Sequence, residues 1–154
     1  IRARENGTLH RNFQGYTTHA GLDSFAIGLT SISETKTSYR QNFKNMESYA
    51  DSLSRGVLPI ERGIILDGDD LLRRGVIMDV MCLLKVRFGD YGADFKKVFA
   101  SAFPKLELMQ ADGLVEIFDD RFEVSNLGRL FLRNIAMLFD GRLAKGVQRY
   151  SKTI

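Results

Sequence analysis

The sequence predicts an α+β fold that is mainly helical, with a small β-hairpin and a winged-helix-like C-terminal domain. Apolar residues recur every three or four positions in three successive segments between residues 69 and 112, which is typical of amphipathic helices. Two predicted strands, 114–118 and 121–125, then flank a tight turn, and another helical pattern follows Ser125. Three helices, a hairpin and a closing helix are the element order of a winged helix.

The predicted helices of this domain have recognisable beginnings and ends. Asp69 or Asp70 is expected to cap the first helix. Pro104 suits the first turn of the third helix, which Gly113 would close. The first helix is predicted to bury one face, carrying Leu72, Val76, Val80, Leu83 and Leu84. Ser125 is the expected cap of the last helix, whose buried face would carry Leu127, Leu130, Phe131, Ile135 and Leu138.

The first half of the chain has a weaker pattern. Residues 1–18 are polar and broken by glycines, so we expect a loop-rich connector. Residues 25–32 form a nearly continuous apolar run, typical of a strand buried on both faces of a parallel sheet. No other segment reads as a partner for this strand, so its neighbours are expected upstream of the chain. A helix is predicted from about residue 39 to Gly56, followed by a loop over residues 57–68.

Length and composition exclude several classes of protein. A chain of 154 residues can bury a core without disulfides or metals, and its net charge of +3 is too small to predict nucleic-acid binding. Cys82 is the one cysteine, which fits a reducing compartment. No apolar run reaches the roughly 18 residues of a transmembrane helix. The first residues lack an apolar leader and an initiator methionine, so we expect the chain to begin inside a longer protein.

The sequence contains none of the common catalytic or metal-binding spacings. His10 and His19 lie nine residues apart without carboxylate or thiolate companions, so a metal site there is not expected. Cys82 falls near the apolar face of a predicted helix, where a buried structural thiol is the expected role.

The winged-helix pattern raises DNA binding as an alternative, which the charges oppose. The segment 104–112, in the position of a recognition helix, sets Lys105 against Glu107 and Asp112. The hairpin tip, Asp119–Asp120, would repel phosphates. The positive excess lies near the end of the chain, in Arg129, Arg133, Arg142, Lys145, Arg149 and Lys152. We interpret these residues as a solvated helix face, and expect no nucleic acid among the partners.

Five segments, in order and at compatible spacing, resemble the C-terminal third of the oxygen-independent coproporphyrinogen III oxidase family. They are Leu9–Thr18, Asp69–Met78, Asp112–Val115, Gly128–Leu130 and Arg133–Asp140. The resemblance runs from about residue 8 to the end of the chain. It implies an oxidoreductase of porphyrin (haem) biosynthesis, located in the cytoplasm.

The resemblance implies a two-part parent enzyme. A radical S-adenosylmethionine barrel bears a [4Fe–4S] cluster, and a mostly helical domain covers the active site. The cluster cleaves S-adenosylmethionine to a radical that starts the oxidative decarboxylation of coproporphyrinogen III to protoporphyrinogen IX. The chain would then begin with a short remnant of an α/β barrel, residues 1–35. A connecting helix and loop, 36–68, and the winged-helix-like domain, 69–154, would follow, and the N-terminal barrel would be the missing partner.

The resemblance implies two cofactor contacts in this chain. Gln14 matches a side chain near a second S-adenosylmethionine, and Ile32 matches a residue lining the first. An amide can both donate and accept hydrogen bonds, and an apolar residue at a strand end can pack against an adenosine. The several cysteines that ligate such a cluster are absent from the sequence. Cys82 alone cannot replace them, because a [4Fe–4S] cluster needs several thiolates. The isolated chain is therefore predicted to lack oxidase activity.

Two alternatives remain open at this point. A haem chaperone of the same superfamily shares much of the pattern, although the segment Arg133–Asp140 favours the oxidase. A winged-helix module that binds DNA or a protein is the alternative from another class.

Overall fold

The computed structural model describes residues 2–143. This part of the chain forms two compact units. The middle unit consists of residues 8–71, and the helical unit consists of residues 2–7 together with residues 72–143. The division of the chain at residues 35 and 68, expected from the sequence, stays a prediction.

The described residues contain short strands and mostly short helices. In order, they are α1 (Arg2–Glu5), β1 (His10–Asn12), β2 (Gly15–Thr17), β3 (Ile32–Glu34), β4 (Ser38–Asn42), α2 (Met46–Ser54), β5 (Ile60–Ile65), α3 (Gly68–Leu83), β6 (Lys85–Arg87), α4 (Phe95–Val98), α5 (Phe103–Ala111), β7 (Val115–Ile117), β8 (Arg121–Val124) and α6 (Leu132–Met137). Two 3₁₀ turns, Phe88–Tyr91 and Gly128–Phe131, complete the list. None of the helices in residues 2–143 is long and apolar enough to cross a membrane.

The middle unit is built from two antiparallel sheets and one helix. Strands β1 and β2 form a hairpin, and β3, β4 and β5 form a sheet with β4 in the centre. Asn45 caps α2 through its side-chain oxygen, which accepts the Ser48 N–H at 2.8 Å. Gly56 follows the end of α2 with φ +70°, which confirms its predicted position.

Three predictions for this half of the chain are wrong. Residues 38–42 form strand β4 rather than the start of a helix, and residues 60–65 form strand β5 rather than a loop. Within residues 1–18, α1 and the β1–β2 hairpin replace the expected loop-rich connector. These elements are short and depend on pairing with distant segments, so their own sequence carries little periodic signal.

The expected parallel strand over residues 25–32 is also wrong. Only Ile32 of this run belongs to a strand, β3, and β3 pairs antiparallel with β4. Phe25 and Ile27 are 70% and 90% exposed in this chain, and their burial by upstream neighbours stays a prediction. The main chain of this run is instead bonded by side chains. The Ala26 N–H donates to Ser33 Oγ, and the Gly28 N–H donates to the Tyr49 hydroxyl.

Helix α3 begins with a reciprocal capping box. Asp67 Oδ1 accepts the Asp70 N–H at 2.9 Å, and Asp70 Oδ2 accepts the Asp67 N–H at 3.2 Å. Asp67 is therefore the cap, and the predicted cap at Asp69 or Asp70 was placed two or three residues too late. The expected inward residues Val76 and Val80 are fully buried.

The predicted hairpin is confirmed, and the structure adds a third strand to it. Strands β7 and β8 pair antiparallel, and β6, which the sequence analysis missed, pairs with the other edge of β8. Pro104 lies in the first turn of α5, and Gly113 follows its end with φ +73°, as predicted. The hairpin turn carries Asp119 and Asp120 at its tip.

The core of the helical unit is rich in phenylalanine. Phe122, on the central strand β8, stacks on Phe139 with ring centroids 5.6 Å apart. Phe88 stacks on Phe95 at 4.8 Å, and Phe95 contacts Phe99 at 4.7 Å. Offset and tilted aromatic pairs contribute roughly 0.5–1.5 kcal/mol each beyond the burial of their area. The aromatic side chains therefore form a large part of the core of this unit.

The closing helix differs from its prediction. Ser125 Oγ accepts the Gly128 N–H at 2.9 Å near the start of a 3₁₀ turn, but Phe131 immediately precedes the short helix α6, so Ser125 is not the cap that was predicted for that helix. Ile135 is buried, whereas Leu127, Leu130 and Phe131 are exposed. The tighter turn changes the direction of the side chains, so the predicted buried face does not form as a single stripe.

The predicted basic face lies only partly within the described residues. Arg129 and Arg133 are exposed there, as a solvated face requires. Lys145, Arg149 and Lys152 lie outside residues 2–143.

The backbone of Gly128 packs directly against the carbonyl of Leu114, and replacing Gly128 provides a test of the fold. A Cβ atom at this position would overlap the carbonyl of Leu114. We expect Gly128→Ala to lower the free energy of unfolding by about 3 kcal/mol, because rigid backbone has to move. Gly89→Ala is the matched control, since a Cβ at Gly89 would meet nothing within 4 Å. Urea denaturation of both variants measures the difference, and equal midpoints would contradict the proposed contact.

Candidate functional site

Gln14 lies in the two-residue loop of the β1–β2 hairpin. The side-chain oxygen of Asn12 accepts the N–H groups of Gln14 and Gly15, at 2.9 and 3.1 Å, and fixes the turn. The Gln14 side chain is exposed and makes no hydrogen bond to any residue that the structure describes. Its amide is therefore available to a ligand.

Ile32 is the first residue of β3 and is partly exposed. It pairs with Gln41 of β4 in an antiparallel register. Ile32 thus begins an antiparallel strand, and the expected position at the carboxyl end of a buried parallel strand was wrong.

An aromatic contact joins the hairpin loop to the sheet that contains Ile32. The rings of Phe13 and Tyr39 meet edge to face, with centroids 5.4 Å apart. Tyr39 lies in β4, the strand that pairs with β3. The loop and the sheet are connected in this way, although no contact among the described residues joins Gln14 to Ile32 directly.

The middle unit also contains an apolar groove of about 360 Å³. Segment 25–27 forms one side of the groove, and α2 with the chain after it forms another. The residues that line the groove are Phe25, Ala26, Ile27, Ser33, Arg40, Asn42, Tyr49, Leu53, Leu58, Pro59 and Ile60. Neither Gln14 nor Ile32 lines it.

A second, polar cleft of about 390 Å³ lies in the helical unit. Its charged lining residues are balanced in sign: Arg4, Lys85 and Arg87 against Glu5, Asp79 and Asp90. Arg4 Nε donates to the carbonyl of Cys82 at 3.0 Å, and this bond attaches α1 to the end of α3. The mixed charges give the cleft no preference for an anion or a cation.

Asp79 and Tyr91 form a polar pair at this cleft. The Tyr91 hydroxyl donates to Asp79 Oδ2 at 2.7 Å. Partial burial raises the pKa of Asp79; the bond from Tyr91 lowers it and the charge of Asp90 raises it. Burial and the bond to Asp79 raise the pKa of Tyr91, so its hydroxyl keeps its proton at neutral pH. Gly75 makes room for the pair, because a Cβ there would lie 2.9 Å from the tyrosine ring.

The raised pKa of Asp79 predicts how stability depends on pH. The folded protein holds the Asp79 proton more tightly than the unfolded chain, so this group's contribution is present below pH 3.8 and is lost as pH rises through the raised pKa. Asp79→Asn keeps an acceptor for Tyr91 without a buried charge. We expect the variant to gain stability relative to the wild type between acid and neutral pH. Urea midpoints measured across that range test this, and a constant difference would contradict it.

The described residues do not fit an iron–sulfur cluster. No group of three or more His, Cys, Asp or Glu side chains within residues 2–143 is arranged to hold a metal ion. Cys82 is 2% exposed, which confirms its expected role as a buried thiol. A [4Fe–4S] cluster needs several thiolates on an accessible loop.

The sequence of this chain is similar to those of known proteins. Residues 66–131 match the HemN C-terminal domain. A relative in Pseudomonas aeruginosa, named oxygen-independent coproporphyrinogen III oxidase, is 41% identical over 99% of this chain and 34% of its own length. Residues 66–131 are therefore similar to the HemN C-terminal domain family. A relative of the same name in Synechocystis sp. is 41% identical over 90% of this chain and 31% of its own length.

A solved structure is similar to this chain over a larger part of its length. The coproporphyrinogen III oxidase HemN from Escherichia coli, described as a radical SAM enzyme, matches with a TM-score of 0.85 and 34% identity. The match covers 91% of this chain and 33% of that one. The chain thus spans about a third of the length of the relatives it matches.

No local pattern in the sequence indicates the residues of the apolar groove or of the polar cleft. Asp79 and Tyr91 are separated by twelve positions and by the end of α3, so no local spacing relates them. Gly75, inside an apolar helical pattern, was the available signal, because an interior glycine in a helix often has a packing reason.

Proposed function

We propose that this chain is the C-terminal part of an oxygen-independent coproporphyrinogen III oxidase. The parent enzyme would convert coproporphyrinogen III to protoporphyrinogen IX by oxidative decarboxylation, in the cytoplasm. The observation that carries the proposal is the extent of the likeness. Sequence identity of 41% over 99% of the chain accompanies a TM-score of 0.85 over 91% of it.

In this proposal the helical unit is a winged-helix-like domain that covers the active site. The element order α3, β6, α4, α5, β7, β8 supports this interpretation, with the β7–β8 hairpin as the wing. Residues 1–35 would form the end of the radical S-adenosylmethionine barrel, and the rest of the barrel would be the missing N-terminal partner. Enclosure by a covering domain would keep a carbon radical away from water.

The proposed cofactor contacts are Gln14 and Ile32. The Gln14 amide is exposed, and a partly exposed Ile32 offers apolar surface to an adenosine. When bound to the parent, S-adenosylmethionine supplies the radical that begins the reaction. The cluster that cleaves it would be held by cysteines of the barrel, so the isolated chain would be inactive.

The charges of the hairpin oppose DNA binding. Arg121 pairs with Asp120 at 2.9 Å and with Glu123 at 2.8 Å, so its guanidinium is engaged by carboxylates. Lys85 also pairs with Glu123. A hairpin whose cations are paired with carboxylates attracts the phosphates of DNA only weakly. The names of the matching relatives favour the oxidase over a haem chaperone.

A chimera tests the proposed function. This chain would replace the corresponding third of the Pseudomonas aeruginosa relative, and the product would be assayed anaerobically for protoporphyrinogen IX. We expect the chimera to form product, because it joins a complete cluster site to a compatible covering domain. The chain alone should form none.

The chimera carrying Gly128→Ala is the matched control, and its activity should fall with the stability of the helical unit. A folded chimera with an intact cluster and no activity would reject the proposal. Product formation by the isolated chain would reject the predicted dependence on the barrel.

The cofactor contacts are tested in the same chimera. Gln14→Ala combined with Ile32→Ala should raise the KM for S-adenosylmethionine at least about fivefold, since one lost hydrogen bond costs about 1 kcal/mol. The KM for coproporphyrinogen III should not change. Thr18→Ala, at an exposed polar residue just after the same hairpin, serves as the control. An unchanged KM for S-adenosylmethionine in the double variant would refute the assignment.

A further inference from the structure

Arg40 lines the apolar groove of the middle unit, and no ion pair with it is seen within residues 2–143. Its Nε atom is buried and has no hydrogen-bond partner among the described residues. No carboxylate in residues 2–143 pairs with its guanidinium. Burying a polar group without a partner costs free energy, and each such group in a folded protein requires an explanation.

The surroundings of Arg40 accommodate its side chain without neutralising it. Gly63 of β5 is the strand neighbour of Arg40, and a Cβ there would lie 3.3 Å from Arg40 Cγ. On another side, the ring of Phe25 lies 5.9 Å from Arg40 Cζ. A cation–π contact of this kind favours a cation but satisfies none of its N–H donors.

The groove is fixed by the chain itself. The Ala26 N–H donates to Ser33 Oγ at 3.0 Å, and the Gly28 N–H donates to the Tyr49 hydroxyl at 3.1 Å. Asn42 Nδ2 donates to the Gly28 carbonyl at 2.9 Å. These bonds use the polar atoms of the wall and hold segment 25–28 in place. The groove is therefore preformed, and Arg40 is the one charged residue of its described lining.

The lining has a single charge. Every lining residue except Arg40 is uncharged, and most are apolar. Small-molecule sites have this composition, with apolar walls and a few polar groups that orient the ligand. The volume of about 360 Å³ suits a ligand with one ring and a short chain.

We propose that this groove is a binding site for a small carboxylate with an apolar body. The carboxylate accepts hydrogen bonds from Arg40, and the body packs against Phe25, Leu53 and Ile60. The site is distinct from the positions of Gln14 and Ile32, and it does not depend on the proposed function.

Two matched probes test the site in this chain. Amide resonances of the labelled protein would be followed by NMR during titration with 3-phenylpropanoate and, separately, with the uncharged 3-phenylpropanamide. We expect saturable shifts of groove residues with the acid, and binding of the amide weaker by about tenfold or more, because a charge-assisted hydrogen bond to Arg40 is lost. Equal binding of acid and amide, or shifts centred elsewhere, would overturn the proposal.

Variants distinguish a specific contact of the ligand with Arg40 from a general attraction to positive charge. Arg40→Gln should weaken binding of the acid about tenfold and leave the amide unaffected. Arg62→Gln removes the same charge from an exposed side chain of β5 and should change neither. Phe25→Ala, at a residue 70% exposed, should fold normally and weaken both probes. Full affinity of the acid for Arg40→Gln would overturn the proposal. So would self-association through the groove without a response to either probe.

Discussion

The helical unit depends on the burial of Phe122 at the centre of strand β8. This strand is bonded on one edge to β6 and on the other to β7, and its phenylalanine is fully buried against Phe139 and Phe88. Residues 88, 122 and 139 are far apart in sequence, so one ring joins the beginning, the middle and the end of the unit. The helices are positioned by this contact, since α4 and α5 supply the neighbouring aromatic and apolar side chains.

The fold of the helical unit could be predicted from sequence to a large extent, because its signals are local. Helical spacing after residue 68, Pro104 at a helix start and Gly113 at a helix end each depend on a few neighbouring residues. The cap of α3 was misplaced because three aspartates lie within four residues, and only the hydrogen bonds select Asp67. Strand β6 was missed because three residues leave no periodic pattern and their pairing with β8 is long-range.

The middle unit could not be predicted in the same way. Its sheet joins residues 32–34, 38–42 and 60–65, and the last strand is separated from its partner by a helix. The apolar run at 25–31 resembles a buried strand in sequence, but the main-chain bonds of its first half, at Ala26 and Gly28, go to the side chains of Ser33, Asn42 and Tyr49. Such bonds have no sequence period.

The candidate sites differ in their origin. Gln14 and Ile32 were singled out by family resemblance, and no physical pattern in the sequence would have selected them. Arg40 and its groove become visible only when the sheet and α2 are assembled, because the lining residues extend from 25 to 60. Apolar burial in the helical unit can thus be predicted from the sequence, whereas the geometry of a binding site depends on the assembled sheet.

The Arg4–Cys82 hydrogen bond makes the helical unit discontinuous in the chain. Residues 2–7 belong to it, yet the whole middle unit is inserted before the chain returns at residue 72. During synthesis the first segment leaves the ribosome long before the helix end that receives it, so the middle unit has the opportunity to fold first. A fragment cut at the family boundaries, 66–131, would lack this segment and also Phe139, which completes the aromatic core. The helical unit is therefore larger than the matched region, because it also includes residues 2–7 and Phe139.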